Sequence, residues 1–196
     1  MNPWAEGLLK GQIPKGQKVK SYYEVDGQPL GERKLWLQDD YVKFIRYGHF
    51  RLDNTGVGVL GFITNHSYLD NPTFRGMRQA LLSSFNKLTF IDLHGNAKKK
   101  EQSPDGSKDE NVFDIQQGVA VSLLRNNASI DTMKVYCASF WGKRKTKFQT
   151  CTCSNIATIE FDIATPDSPY YFFVPRDDAN RDEFEKYDSI NSIIPT

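Results

Sequence analysis

The segment Val57-Gly58-Val59-Leu60-Gly61-Phe62-Ile63 is a short and nearly continuous apolar run. A run of this length and composition predicts a β-strand that is buried on both faces, as in a parallel sheet. Before it, apolar residues recur at steps of three to five over residues 35–54, which predicts an amphipathic helix that ends at Asn54-Thr55-Gly56. A helix followed by a buried strand indicates a layered α/β sheet.

Downstream of this strand the alternation of helix and strand continues. Asn71-Pro72-Thr73 opens a predicted helix that reaches Phe85. Two further strands are predicted at 88–93 and 118–124, with a polar run at 96–111 between them. Beyond residue 125 the pattern predicts a strand at 133–138, an aromatic strand at 170–174 and a solvated helix or turn at 176–188. The expected fold is therefore α/β, followed by a mixed α+β region.

The first 34 residues differ from the rest of the chain, since they are rich in Gly, Pro, Lys and Gln and have no sustained apolar period. They predict a long loop, which is uncommon inside a compact protein. The chain is accordingly divided into three parts: this loop at 1–34, an α/β unit at 35–128, and a connector at 129–196 that leads into the mixed region.

Composition and charge exclude several classes of protein. Of the 196 residues, 25 are Lys or Arg and 24 are Asp or Glu, so a net charge of +1 gives no overall attraction to nucleic acid and any such site must be local. The longest apolar run is too short to cross a bilayer, and no membrane partner is expected. The three cysteines have no spacing typical of zinc sites, which indicates reduced thiols in a cytoplasmic protein.

Nucleotide and nucleophile motifs are weak or missing. Residues 56–61 fit the spacing G-x-G-x-x-G, but they follow a predicted helix and enter a strand, whereas a dinucleotide site follows a strand and opens a helix. A nicotinamide-dependent oxidoreductase is therefore the weakest of the functions considered. The sequence contains neither G-x-S-x-G nor G-x-x-x-x-G-K, so hydrolase and kinase functions lose support.

The three histidines, His49, His66 and His94, show no spacing to one another, to cysteine or to carboxylates that predicts a metal site. His49 is expected to be a packed helix residue. His66 and His94 each follow the end of a predicted strand, where open α/β sheets bind ligands. Both are candidate site residues, although ordinary polar loop residues also occur there.

Two basic clusters are candidates for contact with phosphates. The first is Lys98, Lys99 and Lys100, but Glu101, Asp105, Asp109 and Glu110 in the same polar run, counted together with Lys108, bring its formal charge to zero. The second comprises Lys143, Arg144, Lys145 and Lys147, and it has Trp141 and Phe148 nearby for stacking on bases. A solvated surface is the alternative for both, and phosphate contact is favoured only for the second.

Three blocks of residues, 55–79, 91–96 and 110–120, resemble the adenine-specific N6 DNA methyltransferase domain of large single-chain restriction-modification enzymes, the type ISP group. The similarity is strong over residues 35–126, extends less closely through 135–175, and also includes 21–31. It implies the second half of a Rossmann-like methyltransferase sheet, with 57–65, 88–93 and 118–124 as its fifth, sixth and antiparallel seventh strands. It also implies that Phe113 stacks on a flipped adenine, at a pocket whose edge is formed by Thr64, Asn65, His66 and His94.

The departures from the family are equally informative. The family's glycine-rich S-adenosylmethionine loop and its Asn-Pro-Pro-Tyr motif have no counterpart here, and the sequence contains no Pro-Pro dipeptide. We expect a fragment that is inactive alone, that binds no cofactor, and whose partners are double-stranded DNA and a missing N-terminal half that binds S-adenosylmethionine. A non-catalytic DNA-binding or partner-binding remnant is the alternative. The run at 96–111 is expected to order on DNA, and the missing fourth strand should leave an aggregation-prone edge.

Overall fold

The computed structural model describes residues 3–12, 19–31, 35–127 and 132–176. Its helices are Pro3–Leu9 (α1), Asp40–Thr55 (α2), Arg75–Leu82 (α3) and Arg144–Cys153 (α4). Its strands are Glu24–Val25 (β1), Gln28–Pro29 (β2), Gly58–Asn65 (β3), Lys87–Asp92 (β4), Val119–Asn126 (β5), Lys134–Ser139 (β6) and Asp162–Ala164 (β7). Short 3-10 helices occupy Leu35–Gln38, His66–Leu69 and Pro72–Phe74. The expected acidic helix or turn at 176–188 lies outside the described residues beyond Arg176.

Five strands form one mixed sheet in the order β3-β5-β4-β6-β7. Strand β5 is antiparallel to both of its neighbours, β4 and β6 are parallel, and β7 is antiparallel to β6. This arrangement confirms the predicted fold class, a partial Rossmann-like sheet whose third predicted strand runs antiparallel.

Strand β3 is not buried on both faces, as the apolar run had predicted. It lies at the edge of the sheet in the described part of the chain and pairs only with β5. Val59 and Ile63 are 58% and 59% exposed. On the other face Leu60 packs so closely on α2 that a Cβ at Gly48 would lie 2.5 Å from its Cδ1. One face of the run is therefore apolar because it packs on α2, whereas Val59 and Ile63 on the other face are left uncovered.

The two faces of the sheet are covered unequally. Helices α2 and α3 bury the main core, which includes Met77, Leu81, Phe90 and Leu124. On the opposite face, residues 151–159 leave an open apolar groove of about 450 Å³ over the middle of the sheet.

The N-terminal part is more ordered than a long loop. It contains α1 and the β1-β2 hairpin, and Tyr22 is completely buried in the core. The guanidinium of Arg46 donates to the carbonyls of Leu8 and Lys20, at 3.2 and 2.7 Å. Gly76 of α3 lets this segment approach, since a Cβ there would lie 2.6 Å from the Tyr22 carbonyl. These contacts come from residues distant in sequence, so no local period revealed them.

The predicted aromatic strand at 170–174 is wrong, because that segment has no strand in the structure. Phe173 is instead buried and stacks on Phe90 with ring centroids 4.8 Å apart. Arg78, also buried, donates two hydrogen bonds to the carbonyl of Tyr170, at 2.9 and 2.7 Å. Within the described ranges, no helix is both long and apolar enough to cross a membrane.

Candidate functional site

Histidine 66 lies where β3 and β4 end and β5 begins. Its backbone N–H donates to the Gly118 carbonyl at 3.0 Å. A Cβ at Gly118 would lie 2.3 Å from His66 Nε2, so the imidazole rests on a backbone position that only glycine can occupy. This contact holds a buried imidazole at the edge where β3 and β4 end, which in open α/β sheets is generally the edge that binds ligands.

Asp92, the last residue of β4, orients this imidazole. The Nδ1–H of His66 donates to the Asp92 carboxylate at 3.0 Å, and the same carboxylate accepts from the His94 backbone N–H at 2.8 Å. Burial alone would lower the pKa of His66, but the hydrogen bond and charge of Asp92 outweigh it and raise that pKa. Burial would raise the pKa of Asp92, and His66 lowers it in turn. The pair therefore favours a proton on His66 Nδ1.

His94 is held in an unusual environment. Its φ is 50°, in the left-handed region, and its ring stacks on Trp141 with centroids 3.3 Å apart. Burial lowers its pKa to about 4, so the imidazole is neutral at pH 7. Both ring nitrogens are buried and find no hydrogen-bond partner among the described residues. The structure thus places two different imidazoles side by side, their ring centroids 6.2 Å apart.

The polar run after β4 folds over these histidines. Asn96 Nδ2 lies 3.2 Å from His66 Nε2, and the Asn96 backbone N–H donates to the Glu101 carboxylate at 2.8 Å. An isolated β-bridge joins Gln102 to Lys108. Side chains of the run thus accept from its own backbone, and its expected ordering on DNA remains a prediction.

Phe113 lies beside this edge of the sheet and is 44% exposed. The alternative interpretation of Phe113 as a core residue is therefore wrong. Its backbone N–H donates to Asn111 Oδ1 at 2.9 Å. The Asn111 amide donates to the carbonyls of Gly95 and Gln117, at 3.0 and 2.6 Å, which ties the Phe113 loop to the end of β4. Arg144 donates to the Asn111 and Phe113 carbonyls, at 2.8 and 3.0 Å. The backbone that carries the aromatic ring is therefore held from two sides.

The remaining predicted edge residues have local partners. Asn65 Oδ1 accepts from the Ser67 backbone N–H at 2.9 Å and caps the following 3-10 helix. The Thr64 hydroxyl donates to the Asn65 carbonyl at 3.3 Å. Both lie at the predicted edge, with their polar atoms engaged in the turn.

The two basic clusters differ in accessibility. Lys98, Lys99 and Lys100 are exposed, with Lys99 3.7 Å from Asp70. Lys143 and Lys145 are also exposed, and Arg144 forms a 2.7 Å ion pair with Asp114. The predicted phosphate contact of Lys147 is wrong. It is fully buried, its Nζ lies 2.7 Å from Asp109, and it donates to the Leu93 and Glu110 carbonyls. It faces inward because it shares with Arg144 the side of α4 that packs on the loop.

One cluster of potential metal ligands could not be predicted from the spacing of the histidines in the sequence. His66, His94 and Glu101 each offer one ligand atom, and these atoms lie within 4.8 Å of one another. They come from the end of β3, the end of β4 and the loop that follows, so only the topology brings them together. The sequence signal that could have predicted this cluster is Glu101, which lies seven residues after His94, a histidine at the end of a predicted strand.

No protein-family model and no curated protein matches the sequence. Solved structures do. The DrdV–DNA complex matches 70% of this chain at 29% identity with a TM-score of 0.62. A nuclease-deletion mutant of the type ISP restriction-modification enzyme LlaGI with a DNA substrate mimic matches 76% at 26% identity and a TM-score of 0.63. The ATP-dependent type ISP enzyme LlaBIII bound to DNA matches 75% at 28% and 0.60. This chain spans 14%, 14% and 10% of the length of those three chains, respectively.

Proposed function

We propose that this chain is part of a restriction-modification enzyme and forms the base-binding side of an adenine-specific N6 DNA methyltransferase domain. The observation that carries the proposal is the half-exposed ring of Phe113, whose backbone is held by Asn111 and Arg144 at the ligand-binding edge of the sheet. An extruded base needs such an aromatic face. The similarity to structures of DNA complexes supports the same role.

The proposed reaction transfers a methyl group from S-adenosylmethionine to the N6 atom of the flipped adenine. The chain's own contribution is to bind and orient the base. Phe113 stacks on it, and the Asn111 amide, which donates to the Gly95 carbonyl, ties the Phe113 loop to the end of β4. The cofactor and the groups that hold the amino nitrogen belong to a glycine-rich loop and an Asn-Pro-Pro-Tyr motif, which this sequence lacks. The chain by itself is therefore expected to transfer no methyl group, and methylation of DNA by it alone would contradict this proposal.

Base stacking is tested with a labelled duplex that carries one adenine opposite an abasic position, because an unpaired base costs less to extrude. Stacking contributes about 1–3 kcal/mol per base, so Phe113→Ala should weaken binding about 5- to 150-fold in fluorescence anisotropy. Ile115→Ala is the matched control, since Ile115 lies in the same loop with similar exposure. Equal losses for the two variants would refute a specific role for Phe113.

The phosphate contacts are tested by salt dependence. The double variant Lys143→Ala, Lys145→Ala should reduce the slope of log K against log salt by about 0.9 for each phosphate contact that is lost. These side chains are exposed, so the fold should be unaffected.

The alternative function, a non-catalytic DNA-binding remnant, rests on the same exposed lysines. It predicts a steep salt dependence, but no effect of Phe113→Ala and no preference for the unpaired adenine. Replacing that adenine with a second abasic position separates the two functions. A base-binding chain loses affinity on this change only when Phe113 is present, whereas a remnant binds both duplexes equally.

A further inference from the structure

Three potential metal ligands converge beside the proposed base site. His66 Nε2 lies 4.0 Å from Glu101 Oε1, and the ligand atoms of these residues and His94 all lie within 4.8 Å of one another. Donors bound to one ion at 2.0–2.2 Å stand about 3.4 Å apart in a tetrahedral site. Movements of about 1 Å by the Glu101 side chain and the rings would therefore bring all three onto one ion.

The strongest indication lies at His94, whose ring nitrogens are both buried and whose Nδ1 lies 3.6 Å from Asp92 Oδ2, beyond hydrogen-bond distance. The residue is only 8% exposed, and neither nitrogen has a hydrogen bond within the described ranges. Buried polar atoms are nearly always satisfied, and exceptions call for an explanation. The stack on Trp141 and the left-handed backbone hold the ring in this position.

The surroundings of His66 also suit a ligand. Its Nδ1–H donates to Asp92, which directs Nε2 toward Glu101. A carboxylate that holds the distal N–H of a metal-binding imidazole is the usual arrangement in zinc sites. The Asn96 amide, 3.2 Å from Nε2, occupies that position here and would have to turn aside when an ion binds.

We propose that His66, His94 and Glu101 bind a divalent transition-metal ion of the zinc class. Two imidazoles and one carboxylate favour zinc over magnesium or calcium, which prefer oxygen ligands. Three protein ligands leave a fourth position for water. Because Glu101 lies on the polar loop and the histidines lie on the sheet, the ion would fasten that loop beside Phe113. This site does not depend on the proposed methyltransferase function.

The test uses the full chain with Cys151→Ser and Cys153→Ser, because both thiols are exposed and would bind zinc on their own. Zinc affinity is measured by competition with a chromophoric chelator, and Co²⁺ supplies a visible spectrum that reports the ligands. Glu101→Gln should weaken zinc affinity at least about 100-fold, more than loss of an outer partner usually does. Asp105→Asn, an exposed acid in the same loop, is the control and should change nothing.

Two melting-temperature measurements and one rescue variant complete the test. Zinc, but not Mg²⁺, should raise the melting temperature of the parent, and Glu101→Gln should abolish that shift. The metal-free melting temperature of Glu101→Gln should equal that of the parent, which shows that the variant folds. Glu101→His should restore binding, since imidazole is also a zinc ligand. Equal zinc affinities for the Glu101→Gln and Asp105→Asn variants, or no Co²⁺ spectrum in the parent, would overturn the proposal.

Discussion

Lys147→Met should destabilise the protein strongly, although the residue lies in a lysine-rich run that looks like surface. The Lys147 ammonium and the Asp109 carboxylate are 2.7 Å apart, and both side chains are fully buried. The ammonium also donates to the carbonyls of Leu93 and Glu110, at 2.6 and 2.8 Å. Methionine keeps the length of the side chain and removes all three interactions.

The expected loss follows from what the substitution leaves behind. Asp109 would retain one charge-assisted bond, from the Gly142 backbone N–H at 2.7 Å, while its second oxygen is already without a partner in the described residues. Removing one member of a buried ion pair costs about 3–5 kcal/mol, because the other charge stays buried. The double variant Lys147→Met, Asp109→Asn removes that charge and keeps an acceptor for Gly142. It should recover about 2 kcal/mol of the loss.

Urea unfolding followed by circular dichroism measures both variants. Lys145→Met is the matched control, since Lys145 is exposed on the same helix and should change stability by less than about 0.5 kcal/mol. The reasoning is refuted if Lys147→Met unfolds like the parent, or if it loses DNA affinity with its stability intact. The second result would indicate that Lys147 contacts phosphates, as its position in the basic run of the sequence suggests.

Two further outcomes are expected. Burial, and then the charges of Arg46 and Lys20, hold the pKa of His49 well below its ordinary value, so the unfolded chain takes up a proton below about pH 6.5 that the native chain does not. The free energy of unfolding should therefore fall less between pH 7 and pH 5 in His49→Gln than in the parent; urea titrations that give the same pH dependence for both would contradict this. Ile63→Lys should raise the monomeric fraction in size-exclusion chromatography, because it places a charge on the exposed edge strand, whereas Met133→Lys, also at an exposed apolar residue, should not.

Strands β4 and β5 were predictable because their patterns are local. Each is a compact apolar run bounded by polar residues, and the structure places them at Lys87–Asp92 and Val119–Asn126. The exposure of β3 was not predictable from the same kind of pattern. An apolar run predicts that its side chains are buried. The exposure of Val59 and Ile63 shows that the position of the strand in the sheet decides whether these side chains are covered.

The residues of the candidate site also divide into those that the sequence predicts and those that it does not. Phe113, His66 and His94 were placed at one edge by the positions of the strands and by family resemblance, and the structure brings them there. Glu101 was interpreted as a residue that cancels lysine charge, because charge counting ignores where a loop folds back. Its contact with the Asn96 backbone N–H, at 2.8 Å, depends on a turn within a polar run that has no hydrophobic period to predict it.

Helix α4 explains why the basic run has two different roles. Arg144 and Lys147 are three residues apart, so they lie on one face of the helix. Arg144 donates to the Phe113 carbonyl and Lys147 to the Leu93 carbonyl, so one helix holds both the Phe113 loop and the residue that follows β4. Lys143 and Lys145 are exposed and remain available to phosphates. In the proposed function, DNA that binds these two lysines would act on the same helix that holds the Phe113 loop, and contact with the DNA backbone would be coupled to the position of the Phe113 ring.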